Sequence, residues 1–167
     1  TDVVPDVIVN LKYYSTDNFV GRRIPGYEAN KAILTEEAAL ALAKAAEILA
    51  EDGYRIVICD AYRPTDAVDY FVAWGNDPDD LLMKEKYYPN LTKKELFGMY
   101  IASKSNHSKG STVDITIAGP DGTEVDMGTP VDVFDEKANT YSQNVDQSAF
   151  QNRILLRDAM HAAGFSG

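Results

Sequence analysis

Apolar and polar positions alternate through "DVIVNLKYYS" (residues 6–15), the period of a half-buried strand, until Gly21, Pro25 and Gly26 break the pattern into a loop. Thr35 then stands where an N-cap is needed, with Glu36 and Glu37 in the positive first turn. The run "EEAALALAKAAEILAED" therefore predicts a long amphipathic helix closed by Gly53. "YRIVICDAYRP" is β-branched and ends at a proline, so Arg63 falls at a strand's exit, and Pro64 with Thr65 opens a helix over "DAVDYFVAWG". A polar, proline-bounded loop, "DPDDLLMKEKYYPN", follows. Thr92 to Glu95 has capping-box spacing before "LFGMYIAS", predicting a short helix there. In "VDITIAG" the apolar Val113, Ile115 and Ile117 alternate with Asp114, Thr116 and Ala118, which predicts a strand with one polar face. A last helix is predicted from Gln147 to Ala163, its stripe being Leu155, Leu156, Ala159, Met160 and Ala163, with Gly164 as cap.

Short strands separated by helices of unequal length, without a βαβ rhythm or a glycine-rich phosphate loop, predict an α+β fold: one domain over residues 1–167, a mainly antiparallel sheet flanked by helices. At 167 residues, 45% of them hydrophobic, the chain can bury a core without staples. The formal charge of −10 repels phosphate backbones and argues against a nucleic-acid partner. Cys59 is the single cysteine, which excludes an internal disulfide and a cysteine-based zinc site. No apolar run approaches the ~20 residues of a membrane span. The chain opens at Thr1 without a methionine or a signal-like segment, so the expectation is that an upstream piece was removed.

Candidate chemistry centres on "SNHSKGSTVD", Ser105 to Asp114, which holds one of the two histidines. A histidine before a glycine-containing turn can converge with an aspartate on the strand that follows, so His107 and Asp114 have the makings of a zinc site. Equally, a histidine among serine, lysine and glycine can be a solvated turn. Arg63 offers a fixed cation for a developing oxyanion, or an ion pair with Asp60. Spacing leaves both pairs of readings open.

The ordered blocks "DNFVGR", "GYEANK", "DAYRP", "FVAWGNDPDD", "SNHSKGSTVD", "MGTPVDVFDE" and "NRILLRDAMHAAGF" resemble the zinc D-alanyl-D-alanine dipeptidases of the vancomycin-resistance type, over nearly the whole chain. The third last of these matches the family's S-x-H-x-x-G-x-x-x-D signature. The resemblance implies a D-Ala-D-Ala peptidase-like fold and zinc-dependent hydrolysis of D-Ala-D-Ala in the cell-wall metabolism of a bacterium, in cytoplasm or periplasm; it implies no oligomeric state. Position by position, it makes His107 and Asp114 the Zn2+ ligands and Arg63 the transition-state stabiliser. Asp132 would pair with the substrate ammonium, and Ser105 and Tyr100 would lie near its carboxylate. Asp126 and Asp135 are expected to be solvated or structural, and His161 to face water. The family's next block, an E-x-x-H supplying the general base and a third ligand, does not occur before Gly167. The expectation is a fragment of a longer enzyme, with an inactivated protein as the other reading. The alternative functions are a non-catalytic module that binds a peptidoglycan stem or a metal, and a D,D-carboxypeptidase.

Overall fold

The computed structural model describes residues 3–97 and 100–166. Its centre is a three-stranded sheet in the order β1-β2-β3, with β1 Ile8–Val9, β2 Arg55–Asp60 and β3 Asp114–Ala118. β2 pairs antiparallel with β3 over its length, and β1 joins it parallel through two residues. Five α-helices surround it among the described residues: α1 Glu36–Glu51, α2 Thr65–Gly75, α3 Lys84–Tyr87, α4 Lys93–Leu96 and α5 Gln147–Ala163. The α+β class stands.

α1 and α5 form where the pattern places them. The Thr35 hydroxyl accepts from the Ala38 amide, and Gly164 closes α5 at φ 103°, a left-handed conformation that favours glycine. These two helices pack against each other, and α1 buries Leu42, Ala45 and Leu49 against Ile56 and Ile58 of β2. No helix is long and apolar enough to cross a membrane among the described residues.

The short helix α3 stands inside the stretch expected as a loop, and three further elements depart from the pattern. The expected strand over residues 6–15 stops after two paired residues, and the chain winds into a 3₁₀ turn at Lys12–Tyr14 that drives Tyr13 into the core. The fully buried Asn18 side chain ties that turn: its amide donates to the Lys12, Ser15 and Arg22 carbonyls, and its oxygen accepts from the Val20 and Gly21 amides. The helix expected through "LFGMYIAS" has its capping box, Thr92 with Glu95, but ends at Leu96. Phe97 turns extended and lays its ring against α2, where a Cβ on Gly75 would sit 1.7 Å from the ring. Gly98 and Met99 of that stretch, like Thr1, Asp2 and Gly167, lie outside the described residues.

The third departure corrects the polar face of β3. Thr116 and Ala118 are 3% and 0% exposed, because Val57, Cys59 and Ala118 form a second small core closed by Ile8 and Val131. Alternation reports which residues share a face and is silent about what covers that face. Only the Asp114 end of the strand opens towards solvent.

Candidate active site

The site starts from an irregularity in the sheet. β2 and β3 keep a regular register from Arg55↔Ala118 to Ile58↔Ile115; it then shifts, so that Asp60 lies opposite Asp114. A bulge re-aims side chains at a strand end, and this one sets two carboxylates face to face. Like charges opposed across a sheet are unfavourable unless a cation lies between them.

Arg63 supplies one such cation. Its Nε and Nη2 donate to Asp60 Oδ2 at 2.8 and 2.6 Å, and Nη2 lies 3.5 Å from Asp114 Oδ2. The guanidinium rests over the Tyr13 and Phe71 rings at 5.0 and 5.6 Å. Asp60 is 1% exposed, and its second oxygen accepts from the Tyr27 hydroxyl at 2.7 Å. Burial raises the Asp60 pKa, with Arg63 and the Tyr27 hydrogen bond pulling the other way. The ion-pair reading of Arg63 is the one the geometry shows: it is bound to Asp60 through one edge, and its Nη1 makes no hydrogen bond among the described residues.

His107 arrives from the other side, on a 3₁₀ turn over Asn106–Lys109 that ends at Gly110, φ 72°. The turn is stapled to the β2 exit: Ser108 Oγ donates to the Arg63 carbonyl at 2.9 Å, and the Arg63 amide faces the His107 carbonyl at 3.4 Å. His107 Nδ1 lies 2.9 Å from the Ala61 carbonyl, which can only accept, so Nδ1 carries the hydrogen. Nε2 is left with its lone pair, 3.4 Å from Asp114 Oδ1. Burial disfavours the charged ring, but Asp114 outweighs it and moves the His107 pKa up. A proton and a metal ion compete for that lone pair, so acid weakens metal binding.

Asp60, His107 and Asp114 each place a ligand-type atom within 4.8 Å of the others, which makes this a candidate metal site. Asp60 is already committed to Arg63 and Tyr27. The two donors with capacity are His107 Nε2 and an Asp114 oxygen, an imidazole and a carboxylate of the kind zinc takes.

Comparison with known proteins gives the family. The family model described as D-Ala-D-Ala dipeptidase matches residues 1–167. The chain belongs to the D-Ala-D-Ala dipeptidase family. It is 44% identical over 158 residues to the D-alanyl-D-alanine dipeptidase of Enterococcus faecalis, covering 93% of this chain and 78% of that one. It is 40% identical to the D-alanyl-D-alanine dipeptidase of Enterococcus faecium, covering 98% and 82%, and 35% identical to that of Streptomyces coelicolor, covering 99% and 83%.

In this member of the dipeptidase family, Asp132 joins the cluster from the loop after β3. Its backbone takes the left-handed region at φ 66°, and its Oδ2 accepts from the Tyr13 hydroxyl at 2.8 Å. Burial pushes its pKa up, and the negative charge of Asp114 adds to that push. Asp132 and Asp114 both line an open cleft of about 940 Å³, whose walls include the loop over residues 124–132 and, from α5 and the residues after it, His161 and Phe165. His161 is exposed on α5. Ser105 sits directly beneath His107, its hydroxyl accepting from the His107 amide at 3.2 Å. Tyr100 is 40% exposed and packs on Phe134 with ring centroids 5.3 Å apart; no hydrogen bond joins it to the cluster among the described residues. Asp126 and Asp135 serve their own turns, accepting from the Gly128 and Lys137 amides.

Three residues of this site escaped the sequence. Asp60 was visible only as a partner for Arg63, and its company at His107 depends on the bulge. Tyr13 falls in the predicted strand and Tyr27 in the predicted loop; no local signal marks a tyrosine whose partner lies 119 or 33 positions away.

Proposed function

We propose that this protein is a zinc-dependent dipeptidase that cleaves D-Ala-D-Ala in bacterial cell-wall metabolism. The observation that carries the reading is the convergence of His107 Nε2 and Asp114 Oδ1 beside the Arg63 guanidinium, at the end of a bulged strand pair. The relatives named above bear the name of that activity.

His107 and Asp114 would hold the zinc, which when bound lowers the pKa of water and polarises a carbonyl. Three carboxylates, Asp60, Asp114 and Asp132, lie around one guanidinium here; burial raises the pKa of both Asp60 and Asp132, and the charge of Asp114 adds to the rise in each. A divalent cation and a substrate ammonium offset that excess, whereas an anionic partner would worsen it. Arg63, clamped on Asp60 along one edge, offers its Nη1 to the oxyanion of the transition state. Asp132 pairs with the substrate's free ammonium, and Ser105, with Tyr100 at the rim, lies towards its terminal carboxylate. Recognition of both ends confines the substrate to a dipeptide. The general base is expected from the family's E-x-x-H block, a pattern that residues 1–167 do not contain.

The test compares release of D-Ala from D-Ala-D-Ala and from N-acetyl-D-Ala-D-Ala by the full-length protein at saturating zinc. Blocking the ammonium leaves Asp132 desolvated and unpaired, at a cost of about 1–3 kcal/mol or more. The free dipeptide is therefore expected to have the higher kcat/KM, and Asp132→Asn to narrow the gap by harming the free dipeptide. Equal kcat/KM for the two substrates would replace this reading with a carboxypeptidase, and absence of zinc-dependent turnover would replace it with a binding module.

A further inference from the structure

Arginine and carboxylate frequently pair through two parallel hydrogen bonds, one to each oxygen. Between Arg63 and Asp60 the pairing is different: Nε and Nη2 both donate to Oδ2, at 2.8 and 2.6 Å. The other oxygen is taken, because Oδ1 accepts from the Tyr27 hydroxyl at 2.7 Å. Asp60 and Tyr27 are both buried, so water does not compete for these bonds. Tyr27 is itself held from several sides. Its ring packs edge-on against Tyr13 at 5.6 Å between centroids, and its carbonyl accepts from Arg23 Nε and Nη2 at 3.0 and 2.5 Å. A Cβ on Gly26 just before it would lie 2.9 Å from Pro64 Cβ, so this loop is pressed onto the exit of β2. The hydroxyl stays a donor, since burial and the Asp60 charge raise its pKa.

The geometry points to Tyr27 as a positioning residue that acts through Asp60 to set the angle of the Arg63 guanidinium, an inference that rests on the proposed reading of Arg63 as the partner of the oxyanion. By occupying Oδ1, Tyr27 denies Arg63 the two-oxygen fork and holds the carboxylate turned so that a single atom, Oδ2, clamps one edge. Nη2 then reaches on to Asp114 Oδ2 at 3.5 Å, and Nη1 is left without a hydrogen bond among the described residues. Without the hydroxyl, the carboxylate is free to rotate and take Nε and Nη2 on separate oxygens, which turns the guanidinium away from that aim. Packing against Tyr13 accounts for the Tyr27 ring; it does not require the hydroxyl.

Tyr27→Phe keeps the ring and removes only the donor. In the zinc-loaded full-length protein, kcat and kcat/KM for D-Ala-D-Ala should fall together by roughly 10-fold, the scale of one hydrogen bond to a charged group, with KM held within about twofold. In an Arg63→Ala background the same change should cost nothing further, because its effect runs through the guanidinium. Zinc affinity should stay at the parent's value, since His107 Nδ1 donates to the Ala61 carbonyl and not to Asp60. An unchanged kcat, a loss repeated in full without Arg63, or an equal loss of zinc affinity would overturn the inference. The Arg63 Nε–H gives a readout that needs no turnover: its exchange with water, followed by NMR, should be slow in the parent and roughly 10-fold faster in Tyr27→Phe. Exchange in the parent at the rate of a solvent-exposed arginine would sink the inference whether or not the variant folds. A parent that hydrolyses no D-Ala-D-Ala would remove the dipeptidase reading, and the exchange rates would still decide whether Tyr27 fixes Arg63.

Discussion

At Arg63, the ion pair that the linear sequence offers as one reading is in place, and it leaves one edge of the guanidinium for the role proposed above. Its Nε and Nη2 are spent on Asp60 Oδ2, and two aromatic rings support its plane. The fixed edge restrains the guanidinium, so on the proposed reading what remains faces a charge that exists only in the transition state. Arg63→Ala should therefore lower kcat and kcat/KM together, by about 10²- to 10³-fold. Arg63→Lys should recover little of this, since an ammonium cannot present the planar fork that Asp60 binds. Steady-state kinetics on both variants check this; a rise in KM alone would assign Arg63 to ground-state binding. The Asp60–Arg63 pair was readable in the sequence because three residues at a strand exit suffice to bring the charges together. The Tyr27 hydroxyl that completes Asp60 was not, since only the fold brings it there.

At the scale of elements, the loop bearing Asp132 is irregular, and its anchor is Arg153 on α5. The guanidinium donates to the Met127, Lys137 and Asn139 carbonyls at 2.6, 2.9 and 2.7 Å, bridging the two sides of that loop. Gly128 adds a tight point: φ is 80°, and a Cβ there would lie 2.5 Å from Val145 Cγ1 just before α5. Arg153→Ala leaves three carbonyls without their donor and frees the loop. The expected result is a drop in stability of about 2–4 kcal/mol by denaturant unfolding, given the 1–3 kcal/mol cost of one buried unsatisfied group. KM for D-Ala-D-Ala should rise with the loosened loop, while the zinc affinity of His107 and Asp114 stays as it was. The helical stripe placed α5 correctly and overlooked Arg153, because a periodicity of apolar residues has no means of marking a buried cation that caps a loop's carbonyls.

For the whole molecule, the excess of carboxylates at one point matters more than the net charge of −10. Zinc that binds the folded state alone stabilises it by about 2.7 kcal/mol at 100 times Kd. For a chain of this size that corresponds to a Tm rise of about 5–11 °C. Scanning fluorimetry with and without zinc should register the rise, and chelator should abolish it. His107→Ala should remove it as well, having lost the one imidazole of the cluster. Acid should shrink the rise, because the His107 pKa is raised by Asp114 and protons then occupy Nε2 in place of metal. A His107→Ala protein with the parent's full zinc response would refute the ligand assignment.

The sequence by itself determined the α+β class, both long helices with their caps, β2 and β3, and the family, since these depend on short-range periodicity, capping chemistry and motifs read in order. It also singled out His107, Asp114, Arg63 and Asp132 through the resemblance. Tertiary structure alone decided that β1 is two residues long, that Phe97 ends α4 by packing on Gly75, and that the second face of β3 is buried. It alone set Asp60 opposite Asp114 through a slipped register, and it alone brought Tyr13 to Asp132. The physical reason is one of range: caps and periods are settled by neighbours within a turn or two of chain. A bulge, a buried hydrogen bond between residues 119 apart and the covering of a sheet face are settled by whatever the rest of the chain packs against them.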